Sequence, residues 1–451
     1  MDEPINIEDL RATVQESKND LARTLKAVSH PKRLEILSLL TDTTKTFVQL
    51  LKATQISRTA LANHLQQLIT RGLIRRLERG SYQVTKDGQE LLQAIVESYV
   101  DSQIRLSNGR RHMMERYSTT RSGLGRNMVK LHKLQFKDYA VSHLGALHGC
   151  LEFLEINVTQ PWLYGITGHG LMINIAVDDI CPSGPTAWKP IPLFTGAKNL
   201  GVEFDGVFAW PQQSTEAEYT KKKEKAWKLV SKALSEGRPC YGWQIGDIPD
   251  YYIIYGVDDS GYYFKGYFQE EGAGPKPWKN IGQMFIDITT VKRVKSPVDD
   301  TIQVKEALQA VLRIATNDKE WIMSPKYQAG IAGFDAWIEN IEKGKAGQFG
   351  NAYNAMVWWE CRDMGHKFFQ EAKDRLNGKA KPYLEKAVEL YGQVAEQLHE
   401  FAKLYPFDKD KLTNDPIGVN DTSKIGVEYL KKARDAEAAG LQVIEKIVEV
   451  L

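Results

Sequence analysis

Cysteine is scarce in this chain. Four are present among 451 residues, at positions 150, 181, 240 and 361. None forms a Cys-x-x-Cys pair, so neither a disulfide framework nor a zinc ribbon is expected. Long apolar runs are also missing: none reaches the roughly 18 residues that a membrane span requires. The opening Met-Asp-Glu-Pro-Ile-Asn has no apolar core of the kind an export signal needs. These absences predict a soluble, reduced, cytoplasmic protein without a membrane, metal or cofactor. Tryptophan is absent from the first 161 residues, and all ten lie between Trp162 and Trp359.

Hydrophobic residues make up 42% and charged residues 26%, which is ordinary globular composition rather than disorder. At roughly 100–200 residues per domain, the length implies two to four domains. The net charge of +2 hides an asymmetry. Residues 1–140 hold 23 Lys and Arg against 15 Asp and Glu; the remainder holds 36 against 42. A basic front without tryptophan and an acidic, Trp-rich back read as two functions in one chain, with nucleic acid the expected partner of the front.

Periodicity divides the front. Residues 7–29 carry Leu10, Val14, Leu21, Leu25 and Val28 at helical spacing. Pro31 suits the first turn of a second helix, which runs to about Thr41. A short helix spans about 46–53. The next starts after Ser57, a good N-cap, buries Leu61, Leu65 and Leu68, and ends at Gly72. Residues 73–78 and 82–85 read as two strands around Arg79-Gly80-Ser81. A helix over about 87–106 follows. This order is that of an α+β winged helix-turn-helix over 1–106.

The segments "LKAVSHPKRLEILSLL" and "ALANHLQQLITRGLIRRLERGSYQVTKDG" resemble the ArsR-type winged-helix family across about residues 20–105. The resemblance implies a transcriptional regulator that binds double-stranded DNA as a homodimer. The apolar faces of 7–28 and 88–106 exceed what one small domain covers, which points the same way. The family's metal sensors carry paired cysteines on the short helix before the turn. Here that helix reads Phe47-Val-Gln-Leu-Leu-Lys52, so metal sensing of that kind is not expected.

With Leu61, Leu65 and Leu68 inward, the fourth helix turns Arg58, Thr59, Ala62, Asn63, Gln66, Gln67 and Thr70 outward. Arg pairs with guanine through two hydrogen bonds, and Asn or Gln does so with adenine. Ser57, Arg58, Thr59, Asn63, His64 and Gln67 are the expected DNA contacts, with Arg79 at the wing tip on phosphate or in the minor groove. Residues 107–137 hold eight Lys and Arg against Glu115 alone. They read as a basic linker, or as an arm adding phosphate contacts.

The back reads as an α+β domain over 138–300 and a helical bundle over 301–451. Helices are expected at 139–155, 216–236, 302–316, 351–375, 380–404 and 421–450, and strands at 171–177, 251–256 and 261–267. The segments "HGCLEFLEINV", "TGHG" and "GRPCYGWQIGDIPDYYIIYGVDDSGYYFKG" resemble the N-terminal domain group of the butirosin-biosynthesis protein BtrH, across about residues 140–290. The resemblance implies a papain-like fold with Cys150 at the nucleophile's place. Asp250 falls on or beside the place of the activating histidine. A carboxylate there raises a thiol's pKa, whereas catalysis needs it lowered. A binding-only domain is therefore expected. The glycine-rich, aromatic stretch 161–170 and its neighbours nominate Trp162, Thr167, His169, Trp243 and Tyr252 as ligand contacts. The expected function is a DNA-binding regulator with a sensor for an unidentified small molecule. The alternative is a papain-like acyltransferase or hydrolase that uses Cys150 and is tethered to a DNA-binding domain.

Overall fold

The computed structural model describes residues 7–41, 43–77, 80–100, 128–269, 271–318, 320–408 and 412–451. The chain forms two compact units, divided near residue 113. The expected wing-tip contact Arg79, and positions 101–127 of the expected final helix and linker, lie outside the described residues.

The first unit is built as its periodicity predicts. Helices α1 (Ile7–Val28), α2 (Pro31–Leu40), α3 (Phe47–Thr54) and α4 (Arg58–Thr70) precede a hairpin of β2 (Ile74–Arg76) and β3 (Ser81–Val84). Helix α5 (Lys86–Val100) follows. The strand β1 (Lys45–Thr46) completes an antiparallel sheet in the order β1-β3-β2. Ile36, Leu37, Leu50, Leu61, Leu65 and Leu68 form its core with Leu73, Ile74, Tyr82 and Val84. Thr46 and Gln49 close a capping box at the start of α3, which satisfies two backbone donors there.

The second unit centres on helix α6 (Ser142–Phe153), buried along nearly its whole length. Helix α6 packs against an antiparallel sheet. The strands are β6 (Val202–Ala209), β7 (Cys240–Trp243), β8 (Tyr251–Asp258), β9 (Gly261–Lys265), β10 (Ala273–Lys276) and β11 (Ile286–Arg293). Their order is β10-β9-β8-β7-β11-β6, and β4 (Val129–Lys130) joins β8. A second, small sheet pairs β5 (Asn174–Ala176) with β12 (Tyr327–Ala329). Helices α7 (Gln160–Ile166), α8 (Ile191–Asn199) and α9 (Glu216–Ser235) connect these strands. The C-terminal part is mostly helical: α10 (Asp300–Ala315), α11 (Gly330–Glu342), α12 (Gln348–Arg375), α13 (Lys381–Leu404) and α14 (Asp421–Val450).

Two expected boundaries differ from this arrangement. The linker was expected to reach residue 137, but 129–137 belong to the second unit. Val129 and Lys130 pair with Val257 and Gly256, and Leu131 and Leu134 are fully buried. The segment lies directly on α6. A Cβ on Gly145 would stand 2.1 Å from the Lys137 carbonyl oxygen, and one on Gly149 would stand 1.9 Å from that of Gln135. Residues 138–300 and 301–451 also share one continuous core rather than two. The expected strand at 171–177 shortens to β5, because Met172 turns its carbonyl to a buried arginine instead of a neighbouring strand.

That arginine is Arg362, on α12. It is fully buried and grips Glu437 of α14 with two hydrogen bonds, Nε to Oε2 at 2.9 Å and Nη2 to Oε1 at 2.8 Å. Removing one partner of such a pair leaves a buried charge alone and costs about 3–5 kcal/mol, whereas an apolar replacement of both can be neutral. Arg362→Met is therefore expected to lower the stability of the second unit by about that amount. The double variant Arg362→Met/Glu437→Leu should recover most of it in urea unfolding. Equal stability of the single variant and the unaltered protein would contradict this account.

Candidate functional site

In the first unit the chemistry lies on α4. Helix α3 ends at Gln55, whose left-handed backbone (φ 52°) turns the chain while its N–H reaches the Leu51 carbonyl. Ser57 then caps α4, its Oγ accepting from the Ala60 N–H at 3.2 Å. Leu61, Leu65 and Leu68 fix the rotation of α4 about its axis by burying one face. Arg58, Thr59, Ala62, Asn63, Gln66, Gln67 and Thr70 stand exposed on the other. The row offers a guanidinium and several amides, the groups that read base edges in a major groove.

Two expected contacts have structural work here. The Ser57 hydroxyl is used as a cap, although the residue is exposed. His64 is half-buried, with its ring 4.5 Å from that of His30. Burial, then His30 and Arg33, lower its pKa, which favours the neutral ring. His30 in turn caps α2 through Nδ1, which accepts from the Lys32 N–H at 3.1 Å. The Ser-His-Pro entry to α2 thus helps seat α4. On the wing, Arg75 reaches Gln83 from both Nε and Nη2, while Arg76 stands exposed.

In the second unit Cys150, the nucleophile of the alternative reading, is placed without the features that activate a thiol. The cysteine lies in the third turn of α6, away from the helix N-terminus where a dipole would favour a thiolate. It is fully buried, and burial above all, then Cys240, pushes its thiol well up. Asp250 meets Ser142 instead: the Ser142 Oγ donates to Oδ1 at 2.8 Å and accepts from the Tyr251 N–H at 3.1 Å. Burial raises Asp250 to about 6, against the lowering effect of that hydrogen bond. Ser142 was not among the residues nominated from the sequence. Its only signal there is its place at the start of the helix. The pair joins α6 to the first residue of β8. His143 stacks on Tyr251 at 3.9 Å and faces the Tyr241 hydroxyl at 3.2 Å. Burial holds it neutral, its pKa well below the ordinary value.

All five nominated ligand contacts are buried. Trp162 donates to Gln303 at 2.9 Å, and the Arg375 guanidinium lies 3.8 Å from its ring centre. Thr167 bonds the Leu163 carbonyl, and His169 faces Thr167 and the edge of Trp188. The Tyr252 hydroxyl reaches the Ile248 carbonyl. Of these five residues, Trp243 alone has a buried polar atom, its Nε1, without a partner. The two glycines of the 167–170 loop have structural reasons: Gly168 takes a left-handed backbone (φ 79°), and a Cβ on Gly170 would stand 3.1 Å from the backbone of Gly365 on α12. An open cavity of about 410 Å³ lies beside this loop, lined by Ile166, Pro192, Gly196, Ala310, Arg313 and Trp321 among others. None of the five nominated residues lines it.

Among the described residues no helix is long and apolar enough to cross a membrane, and no group of His, Cys, Asp and Glu is placed to hold a metal ion. Residues 30–76 match the family described as bacterial regulatory protein, arsR family. That stretch runs from the cap of α2 through α4 to the end of β2. No curated protein matches the chain.

Cys150, Cys240 and Cys361 are buried and Cys181 is half-exposed. Iodoacetamide at pH 8 should therefore label one thiol per native chain, at Cys181, and four after unfolding. Fast labelling of Cys150 in the native protein would contradict its burial and restore it as a nucleophile.

Proposed function

We propose that this protein is a DNA-binding transcriptional regulator whose second unit senses a small organic molecule. The exposed row Arg58, Thr59, Asn63, Gln66 and Gln67, on a helix held by three buried leucines, carries the reading. The arsR-family domain in residues 30–76 supplies the regulatory context. The excess of positive charge before residue 140 supports an anionic partner.

The regulator acts as a homodimer. Val14, Leu21 and Leu25 are 47%, 42% and 55% exposed and share one face of α1. Val96 on α5 is 50% exposed. A two-fold dimer buries such faces and presents two recognition helices to half-sites about one helical turn apart.

The sensor is a binding domain in the cytoplasm. A helix buried against an antiparallel sheet supports the papain-like reading of its fold. The buried thiol of Cys150 speaks for binding without turnover. The cavity beside Ile166 seats the effector, with Ile166, Pro192, Ala310 and Trp321 as apolar lining and Thr195, Glu306, Gln309 and Arg313 as polar groups. An effector that binds one dimer state better than the other shifts DNA affinity by its differential binding, typically 1–3 kcal/mol.

Base contacts and phosphate contacts separate by mutation. Arg58→Ala and Asn63→Ala are each expected to reduce discrimination between a selected operator and random DNA by about 1–3 kcal/mol. Arg79→Ala should weaken both DNAs alike. Competition binding checks this, and equal losses on both DNAs for all three variants would refute the assignment of α4.

A further inference from the structure

The chain re-enters described structure at Met128 as a basic edge of the second unit. From 128 to 137 it carries Lys130, Lys133 and Lys137 and no acidic residue. Lys137 is neutralised by Glu152 at 2.7 Å. The other two are not neutralised in this way. The Lys130 ammonium lies 5.7 Å from the centre of the Tyr255 ring and 5.3 Å from that of Tyr263. Lys265, on the neighbouring strand β9, lies 5.6 Å from the same Tyr255 ring, and its Nζ donates to Gln135 at 2.8 Å. Lys133 is exposed. Among the described residues none of these three forms an ion pair, whereas most lysines of α12, α13 and α14 that bond a side chain bond a carboxylate. Asp258, the last residue of β8, is engaged by the Ser260 and Gly261 N–H groups and by the Tyr263 hydroxyl.

An aromatic face attracts a cation without cancelling its charge. Two rings and an amide therefore hold Lys130 and Lys265 in place while leaving them positive. Fixed, unneutralised ammonium groups gathered around one ring of the sheet suit an anion with repeating charge. Duplex DNA carries one negative charge per roughly 1.7 Å of its axis, and neutralising each phosphate releases counterions. Residues 101–127 separate this edge from the winged helix along the chain.

We propose that the basic patch of Lys130, Lys133 and Lys265 is a second, sequence-independent DNA contact, which grips the phosphate backbone. The proposal rests on DNA binding by the first unit. It gives the second unit a direct part in affinity, so that effector binding there can act on DNA without passing through α4.

The test uses the full chain and measures DNA affinity against salt concentration, on a selected operator and on random duplex. The variants are Lys133→Gln alone and Lys130→Gln/Lys133→Gln/Lys265→Gln. Each phosphate contact contributes about 0.9 to the slope of log affinity against log salt. The single variant should lower the slope by about 0.9 per bound chain and the triple by about 2.7, equally on both DNAs. Lys133 touches no ring, so Lys133→Gln should leave the thermal unfolding midpoint unchanged and separates charge from folding. Unchanged slopes in both variants, with specific binding retained, would overturn the proposal and leave the function of the first unit intact. Binding of the three lysines to RNA or anionic vesicles, with DNA slopes unaltered, would overturn it too. Absence of any DNA binding by the unaltered chain would overturn both readings.

Discussion

The buried pair of Arg362 and Glu437 fixes the architecture of the second unit. Its guanidinium satisfies two partners at once, the Glu437 carboxylate on α14 and the Met172 carbonyl before β5. An arginine and a glutamate are tolerated in a core only when their hydrogen bonds are met. That requirement forces α12, α14 and the loop through Gly170 into one position. The loop can come so close to α12 because Gly170 and Gly365 face each other without side chains. The helical part is thus a wall of the mixed domain and not a separate bundle. Glu360, two residues before Arg362, performs a similar service for α6 by accepting from the Ala140 N–H and the Tyr164 hydroxyl.

Much of the first unit was legible in its sequence. The spacing of Leu61, Leu65 and Leu68 set both the helix and its exposed face, because a short amphipathic helix has one way to bury three leucines. Long helices such as α9, α13 and α14 were legible for the same reason. Other elements were hidden. Strand β7, Cys240–Trp243, is buried on both faces, so it shows no alternation. Helix α11 follows Ala329 with Gly330 at φ 58°, and no capping side chain marks its start. Lys130, Lys133 and Lys137 made 128–137 look like solvated linker, though Leu131 and Leu134 between them are core residues.

Site residues were harder to read than elements. Glycine and aromatic residues around Thr167 fit a ligand loop and a tightly packed corner equally well; the distances to α12 decide for packing. A thiol inside a helix says nothing of which turn faces the dipole, and Cys150 lies on a turn that does not. The Ser142–Asp250 contact joins residues far apart in the chain, and neither position announces the other. By contrast, Arg58 and Asn63 needed only local periodicity to be placed on the exposed face.

Recognition of DNA sequence by α4 is the central claim, and enrichment from a pool of random duplexes tests it most directly. The full chain, at moderate salt with excess competitor DNA, should enrich a pseudo-palindrome with half-sites about one helical turn apart. A pool that stays random through successive rounds, or an enriched sequence whose binding survives loss of the α4 side chains, would contradict the account.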